Sequence, residues 1–188
     1  MATQIENKLN GVNLDQLIGT VKAIQETPEL ARFQFRAHNE WINGGHSRTE
    51  IQGFYGANTE DVSRTEPFVL EGDEPPVLLG ENHGPNAVEA VLHALASCLA
   101  VGFIYNAAVQ GITVESLEFD IEGELDLHAF LGLSEDVRPG YGNIEIKYRV
   151  KADAPREKLI ELCNYVKKTS PVLDIVRNPV PVNVSLVD

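Results

Sequence analysis

Cysteine is scarce in this sequence: there are 2 in 188 residues, Cys98 and Cys163, lying 65 positions apart. That spacing fits no zinc ribbon, no CxxC redox motif and no secreted disulfide framework, so a reducing compartment, the cytoplasm, is the expected location. Positive charge is also short, with 15 Lys and Arg against 28 Asp and Glu for a net charge of −13. The 73 residues between Arg64 and Arg138 hold no Lys or Arg and carry 14 of the 28 acids. A nucleic-acid binder needs a basic stripe that releases counterions, so no nucleic-acid partner is expected. GxGxxG, P-loop and GxSxG patterns are missing, which removes dinucleotide, nucleotide and serine-hydrolase readings, and no cofactor is expected. His46, His83 and His93 are scattered, with no helical i, i+4 pair to suggest a metal site. The leading MATQIENKLN has neither an apolar core nor a small-residue cleavage site, which points away from a secretory signal.

Apolar residues are plentiful at 43%, enough for a chain of this length to close a core without staples. The 25 residues 90–114 contain no Asp, Glu, Lys or Arg. Length alone would let this run cross a bilayer. It is Ala-rich, however, includes His93, Ser97, Asn106 and Gln110, and is flanked by Glu89 and Glu115 with no basic anchor, so a helix buried in protein is expected and no membrane partner.

Leu14, Leu17, Ile18, Val21 and Ile24 recur at helical spacing behind Asn13 as N-cap, in a helix ending near Pro28. Phe33, Phe35 and Ala37 alternate with polar residues, Trp41 and Ile42 follow, and Asn43, Gly44 and Gly45 turn the chain into residues 46–54, predicting a β-hairpin. An acidic, Pro-rich loop covers 72–86. A helix then starts near Pro85 or Asn86, runs to about Gln110 and stops at Gly111. Leu117, Phe119, Ile121, Leu125 and Leu127 alternate with acids. After a loop over 129–142, Ile144, Ile146, Tyr148 and Val150 alternate with Glu145, Lys147, Arg149 and Lys151. These two strands are expected to pair antiparallel, the acidic polar face beside the basic one. A helix over 154–169 is predicted with Asp153 as N-cap and Pro155 at its first position, then a final strand over 180–187. Unequal runs of strands and helices indicate an α+β fold, divided into a helical extension over 1–29 and a main domain over 30–188.

Cys98 lies in the middle of the most apolar helix, in ALASCLA. A cysteine there is either a small core hydrophobe or a reactive thiol. Reactivity requires a neighbouring cation or donor, and the helix dipole is largely spent about three turns in. At about 100° per residue, Ala94, Leu95, Val101, Gly102 and Tyr105 share the face of Cys98, whereas Glu89 points to the opposite side and does not readily reach the thiol of its own chain. Gly102 leaves either an open approach to the sulfur or room for close helix packing.

The run GPNAVEAVLHALASCLA at 84–100 resembles the central helix of the OsmC/Ohr family, the osmotically inducible and organic hydroperoxide resistance proteins. GITVESLEFDIEGELDL from Gly111, SPVLDIV and NPVPVNVSLV follow the same order of elements, so the resemblance covers roughly residues 30–188. It implies a two-layer α+β subunit with antiparallel sheets, forming an intimate homodimer with long central helices back to back and active sites where the chains meet. It also implies reduction of small organic hydroperoxides by paired cysteines, assisted by an Arg and a Glu and recycled by thiols or lipoylated proteins.

By this resemblance Cys98 takes the place of the peroxidatic cysteine, which becomes a sulfenic acid. Arg48, in NGGHSR, is the candidate for the assisting Arg, with a solvated strand arginine as the plain alternative. Two positions depart from the family pattern. Where the family's helix begins Asn, Pro, Glu, Glu, this chain has Asn86, Ala87, Val88 and Glu89, so Val88 replaces the assisting carboxylate. Where the family places its resolving cysteine, this chain has Ser170, which forms no disulfide. Cys163 lies seven residues earlier, some ~10 Å back along the helix. It is either a displaced resolving thiol or a buried structural cysteine beside Leu159, Ile160, Leu162 and Val166. The candidate catalytic residues are thus Cys98 and Arg48, with Cys163, Glu89 and Ser170 secondary. The expected function is thiol chemistry on organic hydroperoxides or other electrophiles. The alternatives are an apolar-ligand binder of the same fold, or a different single-cysteine activity in which the thiol attacks a substrate carbon.

Overall fold

The computed structural model of the chain describes residues 7–187, so the first six residues, part of the leading stretch read above, lie outside the described residues. In chain order the elements are β1 (Lys8–Leu9), β2 (Val12–Asn13), α1 (Leu14–Glu26), a 3-10 turn (Pro28–Ala31), β3 (Phe33–Phe35), β4 (His38–Asn43), β5 (His46–Ile51), β6 (Phe54–Gly56), β7 (Thr59–Asp61), β8 (Phe68–Gly72), a second 3-10 turn (Pro76–Leu78), α2 (Ala87–Val109), β9 (Val114–Glu124), β10 (Asn143–Ala152), α3 (Arg156–Thr169) and α4 (Pro171–Arg177). The strands form antiparallel ladders and the class is α+β, as the unequal runs of elements suggested. The chain divides into two units, one of residues 1–7 and 13–91, the other of 8–12 and 92–188.

In the first unit, α1 has the expected bounds, and the Asn13 side chain accepts from the Gln16 N–H as its N-cap. The Asn43–Gly45 turn joins β4 to β5, with Gly44 at φ +55°, a left-handed conformation that costs glycine little. The expected hairpin is split, however. Phe33–Phe35 pairs with β6 rather than extending β4, and the strand expected over 46–54 breaks after Ile51. Two three-stranded sheets result, β3-β6-β7 and β4-β5-β8.

The helix α2 begins in the first unit, and from Leu92 on it is the helix on which the second unit is built. Glu89 and Asn86 close a reciprocal capping box at its start, each backbone N–H donating 2.9 Å to the other's side chain. At its end Gly111 turns left-handed at φ +70°, and the Ile112 N–H returns to the Ala107 carbonyl at 2.9 Å. Leu95, Leu99, Phe103 and Ala107, spaced four apart, line the buried stripe of this helix. That stripe packs with Leu162 and Val166 of α3 and with Leu117, Phe119, Ile144, Ile146, Tyr148 and Val150 of the β9–β10 ladder. A Cβ added at Gly102 would lie 3.2 Å from Val166 Cγ1, so this glycine serves close packing of α2 on α3. The β9–β10 register sets Glu118 opposite Arg149 and Asp120 opposite Lys147, and Arg149 also bridges to Asp120 while Lys151 reaches Glu115. The acidic and basic polar faces therefore meet as expected.

Two expectations are corrected here. Asp153 does not cap α3, whose N-cap is Pro155; its carboxylate instead accepts the Thr113 N–H across the ends of the ladder. The alternating segment over 180–187 forms no strand among the described residues, and Val180, Val182, Val184 and Leu186 are exposed. Period-two patterning needs a neighbouring ladder to become a strand, and this one has none in the single chain. By length and composition α2 is apolar enough to cross a membrane, yet only 17% of its most apolar window is buried by its own chain.

Candidate functional site

The junction between α3 and α4 puts Ser170 beside α2. Pro171 opens α4 and the Ser170 backbone is extended at φ −73°, ψ 116°, which turns its side chain back as the N-cap, accepting from the Leu173 N–H at 3.2 Å. The residue is 6% exposed, and its Oγ lies 3.1 Å from Cys98 Sγ. One lone pair of Oγ is occupied by Leu173, and the hydroxyl carries a single proton. Either the thiol or the hydroxyl can donate in this contact. The contact therefore ties Cys98 of α2 to the junction between α3 and α4.

Cys163 is partly buried and packs against the core cluster. Burial pushes its thiol pKa up, only partly offset by the nearby Lys167 charge, so it stays protonated where a nucleophile would need to be ionised. Tyr148 of β10 adjoins the same core, its ring edge-on to Phe119 at 4.6 Å and 6.2 Å from Phe103.

Arg48 and Glu89 belong to the first unit. The β5–β8 register places Arg48 directly opposite Glu71, and its Nε donates to Glu71 Oε1 at 2.8 Å while His46 Nε2 holds Glu71 Oε2 at 2.8 Å. The His46 hydrogen bond, then that of Arg48, holds the Glu71 carboxyl below its usual range. His46 stacks on His83 at 4.3 Å, and the Asp73 side chain, 2% exposed, binds His83 Nδ1 at 2.8 Å. Asp73 also accepts from the backbone N–H groups of Glu74, Glu81 and His83. Led by the His83 backbone bond, these donors hold its carboxyl well below the ordinary range. A cavity of about 160 Å³ opens between the Gly44–Gly45 turn and Glu81 and His83. Among the described residues no three His, Cys, Asp or Glu side chains converge to hold a metal ion. Glu89 is occupied in the α2 capping box.

Of the residues singled out from the sequence, Cys98 and Ser170 are brought into contact. The Glu71–His46 and Asp73–His83 pairs escaped sequence reading because strand register and loop closure create them. Tyr148 was placed on the correct strand, but nothing in period-two patterning marks a hydroxyl at the end of an inward ring.

A thiol and a hydroxyl are joined between helices of an α+β framework, and comparison with known proteins shows the family of the chain. A sequence model of the OsmC-like protein family matches residues 80–185, more than half of the chain, which therefore belongs to the OsmC-like family. Among solved structures the chain is similar to an OsmC-like protein from Mycoplasma pneumoniae, with a TM-score of 0.58, 14% identity and coverage of 78% of this chain and 89% of that one. It is similar to an OsmC-like protein from Vibrio cholerae, with a TM-score of 0.58, 13% identity and coverage of 77% and 94%. An organic hydroperoxide resistance protein OsmC from Legionella pneumophila gives a TM-score of 0.53 at 16% identity, covering 77% and 89%. Comparison with curated proteins gives no match.

The contact geometry yields a direct expectation. With Oγ 3.1 Å from the sulfur, a Ser170→Cys substitution brings a second thiol within a small shift of the roughly 2.05 Å disulfide length. Stoichiometric peroxide should then join positions 98 and 170, read by non-reducing peptide mapping. Recovery of both thiols unlinked would contradict the placement of these side chains.

Proposed function

We propose that this chain is a thiol-dependent reductase of small organic hydroperoxides, with Cys98 as the attacking thiol. The observation that carries this is the Cys98–Ser170 hydrogen bond, which supplies a half-buried helix cysteine with a fixed hydrogen-bond partner. Family membership and the hydroperoxide resistance named for the Legionella structure support the substrate class. In this reading Ser170 stabilises the thiolate and Cys163 remains structural, while Arg48 donates to Glu71 within the first unit. The oxidised sulfur is returned by a small thiol or a lipoylated protein, and two free cysteines suit the cytoplasm.

The same reading makes the protein a homodimer. At about 100° per residue, Val91, Tyr105 and Val109 fall within roughly 20° of Cys98 on α2, and Val101 within roughly 60°. These four side chains are 39–58% exposed in the single chain. The uncovered apolar stripe is therefore centred on the thiol, and a second copy that covers it also closes the site from water. The family match spans the whole of α2, which supports a protein interface over a membrane anchor.

Two measurements test these points. Wild-type protein supplied with dithiothreitol should consume cumene hydroperoxide, and Cys98→Ser should abolish consumption; equal rates for both would exclude a peroxide-reducing role for this thiol. Light scattering at micromolar concentration should give the mass of two chains, and a folded monomer would remove the dimer.

A further inference from the structure

The cavity of about 160 Å³ in the first unit has no part in the chemistry of Cys98. It lies between the Asn43–Gly45 turn and the loop over 73–83 that follows β8. The loop is tied down from inside: the Asp73 carboxylate gathers the N–H groups of Glu74, Glu81 and His83 together with the His83 ring. A Cβ at Gly45 would lie 3.2 Å from Asp73 Oδ1, and one at Gly80 would collide with the Glu74 carbonyl oxygen, so turn and loop approach closely at both glycines.

These bonds also fix the state of the His83 ring. Led by the His83 backbone N–H, the donors to Asp73 keep its carboxyl ionised. An ionised carboxylate only accepts, so Nδ1 carries the proton of the 2.8 Å bond between them. In the neutral ring Nε2 is then an acceptor. The ring plane is held by stacking on His46, 4.3 Å away and 8° from parallel, and His46 is anchored in turn by Glu71. Glu81 Oε2 lies 3.7 Å from His83 Nε2, and both residues line the cavity. Two acceptors do not bond each other, but a single nitrogen about 2.9 Å from each would bond both.

What fits this gap donates at least two hydrogens and carries positive charge. None of the described residues lining the cavity is Lys or Arg, and Glu81 brings a full negative charge to it. The described residues offer no third ligand for a metal ion, whereas a primary ammonium has three donors of its own. Leu79 lines the same cavity in a left-handed backbone at φ +68°, unusual for a leucine, with its side chain 92% exposed. It supplies apolar surface beside the two acceptors. We propose that this cavity binds a small alkylammonium ion, its nitrogen donating to His83 Nε2 and Glu81 Oε2 and its carbon chain resting on Leu79.

The test is a titration of the full chain with n-propylammonium chloride in the presence of EDTA at about pH 8, where an ordinary imidazole is neutral, read by long-range proton–nitrogen NMR of the histidine rings. The His83 Nε2 resonance should move saturably in the millimolar range, while His128, paired with Asp126 on the exposed surface, stays in place. Propan-1-ol, which lacks the charge, and tetramethylammonium, which lacks the N–H donors, should leave His83 unmoved. Glu81→Gln, at a side chain 79% exposed, should weaken propylammonium binding at least about threefold. An unmoved His83, an equal shift of His128, an equal response to tetramethylammonium or to propan-1-ol, or unchanged affinity in Glu81→Gln overturns the assignment. So does a His83 Nε2 that already carries a proton in the ligand-free protein at this pH.

Discussion

Everything in the second unit is arranged around the need to cover a helix with no charge between residues 90 and 114. The β9–β10 ladder and α3 cover one stripe of α2 and leave the adjacent one, with Val91, Val101, Tyr105 and Val109, facing outward. Full burial of an apolar side chain of this size is worth about 1.5–3 kcal/mol, so the uncovered stripe represents a large unspent driving force. Cys98 lies at the centre of that uncovered stripe, about 20° round α2 from Val91, Tyr105 and Val109. In the proposed dimer, a second copy that covers this stripe also closes over the thiol.

Ser170 gives this site its particular chemistry. A hydroxyl 3.1 Å from the sulfur hydrogen-bonds it and accepts the Leu173 N–H of the following helix, which fixes its orientation. It has no way to store oxidising equivalents as a disulfide. Cys163, with its thiol held protonated by burial, gives no ready substitute. In the proposed cycle the oxidised state is a sulfenic acid, and an external thiol must reach it.

Much of this architecture was legible because its signals are local. Asn13 before a helical run, the acidic and basic alternations of β9 and β10, and the charge-free stretch ending at Gly111 each predicted an element close to its observed bounds. The errors share a different origin. Asp153 had the chemistry of a cap, but the Thr113 N–H offered it a partner 40 residues away. The strand pattern at 180–187 lacks a ladder that one chain does not supply, and the Phe33–Phe35 pattern joined a sheet that its neighbours in sequence did not. At the site, Cys98 and Ser170 were individually marked, whereas their hydrogen bond and the Glu71 and Asp73 pairings depend on how distant segments close.

The measurement that bears most directly on this account is identification of the oxidised product of the wild-type protein. After stoichiometric cumene hydroperoxide and dimedone, mass spectrometry of non-reduced peptides should find dimedone on the Cys98 peptide and the Cys163 peptide as a free thiol. A high yield of linked Cys98 and Cys163 peptides would show a two-cysteine cycle and contradict the one-cysteine site. Unmodified Cys98 under the same conditions would contradict its reactivity altogether.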